Sequence, residues 1–399
     1  MHNPSGEAAL NNPKLSARVA AVEFPPIAEA LSWVQGRQSN RELLNMCQAV
    51  PSYPPAPELQ EEFARLARLP TTGGYTEILG IPELRECFAS KLSGDYQTQL
   101  NAADVGITTG CNQAFAAAIM ALAEAGDTVV MPAPFYFNHN MWLGMMGVQV
   151  KPISAFTAQG AWPSVDAARA AIDARTRVIV LCTPNNPSGA IYPPEVLHAF
   201  YDLAVEANVT LIIDETYKDF RPDAAPSHFL LQRADWRERL VQLFSFSKIY
   251  ALAGYRLGAM VAGPAIMHEA TKILDTMTIC PPHIAQRGVL YALKELDEWK
   301  AGKKALMAER LAAMRAVFSM PGLKYELVSS GAYFAYVKHP FRGGASKAVA
   351  KRLAQEHDVL CLPGSMFGPG QEDYLRFAFA NVEKEKMAVL AERLRESVG

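Results

Sequence analysis

The sequence has six cysteines and no pairing pattern among them. Cys47, Cys87, Cys111, Cys182, Cys280 and Cys361 stand far apart, with no CxxC and no accompanying histidine cluster. Scattered thiols in a chain this long read as reduced core residues. That argues against a disulfide framework and a structural zinc or other metal site, and for a cytoplasmic location. Neither sign of charge is in excess: 38 Lys and Arg against 40 Asp and Glu leave a formal net charge of −2. No nucleic acid and no membrane surface is therefore expected as a partner, although a local anion site stays open. Long apolar runs are missing too, since none reaches the roughly 20 residues that span a bilayer. The opening MHNPSGEAALNNPKL lacks the apolar core of a secretory leader. There is no internal repeat and no low-complexity linker.

What is present is material for two or three domain-sized units: 399 residues, half of them hydrophobic and a fifth charged. The middle of the chain alternates short apolar runs with helix-like stretches. ITTG (Ile107–Gly110) leads into the Ala-rich QAFAAAIMALAEAGD; TVVMPAP, RVIVLCT, TLIIDETY, LVQLFSFSK and YRLGAMVAG carry further strand signals. Runs such as VIVL and LIID are continuously apolar, as expected of strands covered on both faces. The strand–helix order predicts an α/β fold with a mostly parallel, doubly wound sheet. Beyond about Pro282 the texture changes. A long helical region to about Phe318 precedes YELVSSGAYFAYV, which alternates like one half-exposed strand. Helix SKAVAKRLAQEHD, strands VLCLPG and YLRFAFA and a last helix follow. The expected division is an N-terminal segment, 1–45, packed on the small domain; a large ligand-binding domain, 46–284; and a small α+β domain, 285–399.

Polar residues cluster just past the predicted strand ends, the edge where open α/β sheets bind ligands. Lys248, in SFSKIYALAGYR, follows one such strand. A lysine that can shed its proton forms Schiff bases with carbonyl compounds, and burial or a nearby cation such as Arg256 favours the neutral amine. Asp214 ends the apolar run LIID, where a carboxylate loses water unless it is paired. A pyridinium N–H is a suitable partner, and capping a following helix is the plainer use. Tyr217 and Asn186 (in PNNPSG) could both donate to a phenolate oxygen. TTGCNQAF sets Gly110, Cys111 and Asn112 where a strand turns into a helix, a place suited to a phosphate. Ser245 and Arg256 flank Lys248 and could add donors.

In order along the chain, GGYTEILGIPELRE, TTGCNQA, PAPFYF, NNPSG, DETY, SFSKIYALAGYR and YLRFAFA resemble the class I/II aminotransferases of pyridoxal 5′-phosphate (PLP) fold type I. The subgroup containing aspartate and kynurenine aminotransferases is the most similar. The resemblance implies a large seven-stranded-type sheet domain with a smaller α+β domain. It also implies a cytoplasmic homodimer with shared active sites and a ping-pong transfer of the amino group from an L-amino acid to a 2-oxo acid. It assigns Lys248 to the Schiff base with PLP and to proton transfer, Asp214 to the pyridine nitrogen, and Tyr217 and Asn186 to the phenolate oxygen. Tyr136 would stack on the ring. Gly110, Cys111, Asn112, Ser245 and Arg256 would form the phosphate cup. Tyr75 would reach the phosphate of the other subunit, and the segment Thr276–His283 would border the partner's site. Arg376 would clamp the substrate α-carboxylate.

Two positions depart from the family pattern. Ala49 stands where glycine is common, so its methyl could crowd the substrate carboxylate or leave its N–H usable. Cys111 stands in the cup, either as a space-filler or as a thiol whose pKa the helix N-terminus lowers. His139, His198, His228, His283 and His357 fit no ligand spacing and read as surface or satisfied residues. A PLP-dependent C–S β-lyase would share almost all of these motifs. A PLP-binding regulatory module is disfavoured, because the 45 or so residues before the first motif hold no basic recognition helix.

Overall fold

The computed structural model describes residues 14–222 and 226–399. Their strands are β1 (Leu44–Asn45), β2 (Val105–Thr108), β3 (Thr128–Ala133), β4 (Gln149–Ser154), β5 (Thr176–Cys182), β6 (Thr210–Asp214), β7 (Leu240–Ser245), β8 (Gly258–Val261), β9 (Glu326–Gly331), β10 (Phe334–Lys338), β11 (Val359–Leu360), β12 (Leu362–Pro363) and β13 (Tyr374–Ala378). Seven of them form one sheet in the order β2-β8-β7-β6-β5-β3-β4. Neighbours in it are parallel except β8, which is antiparallel to both β2 and β7.

The apolar runs of the sequence are explained by two cores, one on each face of this sheet. In β5, Ile179 and Leu181 belong to one core and Val178 and Val180 to the other. In β6, Leu211 and Ile213 alternate in the same way with Ile212. Burying each such side chain is worth roughly 1.5–3 kcal/mol, so the middle of a strand covered twice favours apolar residues at every position. The edge strand β4 has one neighbour and carries Lys151 and Pro152, which edges tolerate. It has no continuous apolar run, and the sequence signal misses it.

The smaller sheet is antiparallel, in the order β12-β13-β10-β9, and β1 pairs in parallel with β11. Ala30, Trp33 and Leu44 share its core with Val337, Leu353 and Phe377. Residues 1–13 of the expected N-terminal segment lie outside the described residues. No helix among the described residues is long and apolar enough to cross a membrane.

Two expectations are corrected in detail. YELVSSGAYFAYV is a hairpin of β9 and β10 and not one strand, with Ala332 at φ 46° in the turn. Alternating apolar residues look alike on one strand or two, and no Asn-Gly or Asp-Gly pair marks the bend. The long helical region is two helices, His283–Glu295 and Asp297–Phe318, broken at Leu296 (φ −108°, ψ 24°). The first packs into the core of the large sheet, and the second carries Met314 and Val317 into the core of the small one. The second helix itself bridges the two cores, with Met307 in the large-sheet core and Met314 and Val317 in the small one. The two units also meet at a pair of glycines. Gly189 has φ +70°, and a Cβ on it would collide with the Gly331 backbone of β9.

Candidate active site

Asp214 is the last residue of β6, in register with Cys182 of β5 and Leu243 of β7. It is 4% exposed. Its Oδ1 accepts the Thr216 backbone N–H at 2.9 Å, and His139 Nε2 lies 3.2 Å from Oδ2. His139 comes from the helix Phe137–Met146 and stacks on Phe115, ring centroids 3.9 Å apart. A surface or satisfied histidine was expected at this position, and not one on the site's buried carboxylate.

Lys248 lies just beyond β7. Its Nζ donates to the Ala49 carbonyl at 2.8 Å, and its own carbonyl accepts the Tyr333 hydroxyl at 3.1 Å. Burial, then the nearby Arg256 and Arg376 guanidinium groups, lower its pKa from 10.5 to about 8. At neutral pH this amine is far closer to losing its proton than a surface lysine.

A helix of 12 residues, Cys111–Leu122, starts at Gly110. Gly110 has φ +81°, and a Cβ there would press on the Arg256 guanidinium, whose Cζ would be 3.0 Å away. Arg256 is itself left-handed, φ +56°, and its Nη1 is tied to the Ala253 carbonyl at 2.9 Å. The unpaired N–H groups at the helix start therefore face a fixed guanidinium, with Ser245 and Ser247 in the same cavity, an arrangement that favours an anion. The lowered thiol pKa considered for Cys111 is overturned. Burial, then Asp214, pushes it well above its ordinary value, because desolvation outweighs the helix dipole.

Arg376 projects from β13 and is 1% exposed. Its Nη1 donates to Asn186 Oδ1 at 3.1 Å and its Nη2 to the Cys47 carbonyl, while its buried Nε has no partner among the described residues. Phe334 and Phe367 each hold a ring 5.1 Å from its Cζ. Burial lowers its pKa to about 10, so it stays charged at neutral pH. With Asn186 Oδ1 engaged, the amide hydrogens of that residue are its remaining donors. Tyr217 stands edge-on to Tyr333 and Phe334, and burial pushes its phenol well above its ordinary value. The Tyr136 hydroxyl accepts from Asn138 Nδ2 at 2.8 Å, and burial raises that phenol to about 12. Both phenols therefore keep their protons and can act as donors.

All the residues singled out from sequence, except Gly110 and Tyr75, line one cavity of about 320 Å³. Gly110 sits behind Arg256 at its floor. Tyr75 lies on the surface, 80% exposed. Its neighbour Thr76 contacts Cys280 and Gln286, which brings it beside the exposed Met277 and Ile279. Sequence reasoning misses Ile27, Gln48, Asn138 and His139, which lie outside the quoted motifs, and it singles out neither Phe137 in PAPFYF nor Ser247 in SFSK. Among the described residues no cluster of three or more His, Cys, Asp or Glu side chains could hold a metal.

The donor set suits PLP. The helix start with Arg256 matches a phosphate, Asp214 a protonated ring nitrogen, and the Tyr217 and Asn186 donors a phenolate. Lys248 suits an aldehyde, and the unpartnered Arg376 Nε is left for a substrate carboxylate. Comparison with known proteins agrees. Residues 41–394 match the family model described as aminotransferase class I and II. The chain is similar to the aromatic aminotransferase ISS1 of Arabidopsis thaliana, 29% identical over 391 residues that cover 96% of each protein. It is also similar to an aspartate aminotransferase of Thermotoga maritima, 28% identical over 86% of this chain and 88% of that one. The structure of Thermus thermophilus aspartate aminotransferase with maleate superimposes with a TM-score of 0.87 at 25% identity, covering 96% of this chain and all of that one. The chain belongs to the class I and II aminotransferases, PLP-dependent enzymes of fold type I.

Proposed function

We propose that the protein transfers the amino group of an L-amino acid to a 2-oxo acid in two successive half-reactions, with Lys248 as both the covalent anchor of PLP and the proton carrier. The carrying observation is a single buried amine, lowered to about 8, in one cavity with a buried carboxylate and a buried arginine. Bound PLP supplies an aldehyde for amines to join and a ring that takes up electrons when it is protonated. Asp214, oriented by His139 and the Thr216 amide, holds the proton on the ring nitrogen. Tyr217 and Asn186 would donate to the ring oxygen, and Tyr136 would pack on the ring. Gly110, Cys111, Asn112, Ser245 and Arg256 fix the phosphate. Arg376 grips the substrate α-carboxylate beside Ala49. Lys248 Nζ, when not engaged with the cofactor, would be the base in this cavity placed to take and return the substrate α-proton.

The working unit in this reading is a cytoplasmic C2 dimer, with Tyr75 and the segment Thr276–His283 entering the partner's site. Exposure of Tyr75, Met277 and Ile279 on one surface supports it. A large unit, residues 46–284, and a small one, 285–399 joined by 1–45, would flank the cavity. The reading is tested by adding an amino acid alone and then a 2-oxo acid alone. The first should yield one equivalent of keto acid per site and the second should restore the starting spectrum. Lys248→Ala should lower turnover by at least about 10³-fold. Turnover within tenfold of wild type in that variant would refute the assignment.

A further inference from the structure

We propose that the site takes amino acids with uncharged, mainly apolar side chains and discriminates against dicarboxylic and basic ones. This rests on the transaminase reading above and adds the substrate class to it. The relatives leave the class open, since one is named for aromatic and the other for aspartate substrates.

The argument is an inventory of charge. Among the described residues, the cationic side chains lining the cavity are Lys248, Arg256 and Arg376. Each is held at a different task. Lys248 Nζ is on the Ala49 carbonyl, Arg256 lies over Gly110 at the helix start, and Arg376 is fixed between Asn186 and the Cys47 carbonyl. None is left for a second carboxylate. The acid in the cavity is Asp214, engaged by His139 and the Thr216 amide, so a basic side chain has no partner either.

The rest of the wall is neutral. Ile27 from the helix Pro26–Ser32, Val50 from the loop after Cys47, and Phe137 from the first turn of its helix supply apolar surface. Phe137 is braced by Phe367, ring centroids 5.7 Å apart. Gln48 and Asn138 beside them are uncharged amides, as the other polar side chains of the wall (Asn112, Thr216, Ser247) are uncharged, and Asn138 already donates to the Tyr136 hydroxyl. Of the surface stretches assigned to the partner's site, the one around Tyr75 (73–76) reads GGYT and Thr276–His283 reads TMTICPPH; they contain no Lys, Arg, Asp or Glu, and His283 is their one titratable side chain besides Tyr75 and Cys280. A distal carboxylate brought here would lose water and gain no cation. An aliphatic, thioether or aromatic side chain would bury apolar area on the same wall.

The test uses the PLP-loaded enzyme and follows the first half-reaction spectrally with L-phenylalanine, L-leucine, L-aspartate and L-lysine. Binding of the unreactive acids 3-phenylpropionate and maleate is measured in parallel by calorimetry. The rate constant per molar substrate should be at least about a hundredfold higher for phenylalanine or leucine than for aspartate or lysine. 3-Phenylpropionate should bind at concentrations where maleate does not. Ile27→Lys, which puts a cation on the wall, should narrow the phenylalanine-to-aspartate ratio by at least about tenfold. Aspartate reacting as fast as phenylalanine, with maleate binding as tightly as 3-phenylpropionate, overturns the proposal and leaves the transaminase reading intact. Silence with every amino acid, while both acids bind, overturns that reading and this one with it.

Discussion

Lys248 is a buried amine facing two guanidinium groups, and it carries a cost that the cofactor-free protein should reveal. Its folded pKa of about 8 lies below the unfolded value of 10.5, a difference of roughly 3 kcal/mol. Between those values the unfolded chain binds more protons, so stability rises with pH across that window, and the penalty is complete below it. Lys248→Met in the cofactor-free protein should therefore add about 2–3 kcal/mol to stability at pH 7 by urea unfolding. The gain should shrink between pH 8 and 10.5, and equal midpoints at pH 7 would contradict the assigned burial. Most of the candidate site was legible at this scale. Asp214 with Tyr217, and Lys248 with Arg256, sit at short fixed spacings just after apolar strands. His139 was not, because its partner Asp214 is supplied by another element and nothing local points to it. The behaviour of Cys111 was not either, since the dipole that lowers a thiol pKa can be read from sequence and the burial that raises it cannot.

The turn after β6 is the element that aims Asp214 and Tyr217, and it is pinned from beneath by Glu215. Fully buried, Glu215 accepts the Tyr96 hydroxyl at 2.7 Å, Gln242 Nε2 at 2.6 Å and the Ser227 hydroxyl. Burial raises its pKa, but His228 with the Ser227 and Tyr96 hydroxyls outweighs burial and holds it below the ordinary 4.5. Its contribution to stability is thus present above about pH 4.5 and is lost as pH falls through the lower folded value. Glu215→Ala strands three buried donors and should cost about 3 kcal/mol or more, read as a shift in the urea midpoint. A loss under about 1 kcal/mol would mean that water takes over the network. Strands with two buried faces, such as β5 and β6, were legible because their continuous apolar runs have no other use. The edge strand β4, the hairpin turn at Ala332 and the break at Leu296 were not, since none is marked by an apolar run or by a Gly or Pro at the break itself.

At the scale of the whole molecule, β1 pairs with β11 beside the small sheet before the chain enters the core of the large one, and the cavity is lined by residues from both sheets. The order of the motifs announced this architecture; the break at Leu296 and the glycine contact between Gly189 and Gly331 had no announcement. The proposed dimer gives a further prediction. Mixing equal amounts of Tyr75→Ala and Lys248→Ala chains forms hybrids in which one of the two sites has a wild-type set, so activity lowered in each parent should recover at about one site in four of the mixture. No recovery after mixing under conditions that exchange subunits would contradict sharing through Tyr75. The account turns most directly on where PLP is attached. Borohydride reduction of the loaded enzyme followed by peptide mass mapping should place one phosphopyridoxyl group per chain on Lys248, within SFSKIYALAGYR. A label on any other lysine, or none in a protein that still transaminates, would contradict it.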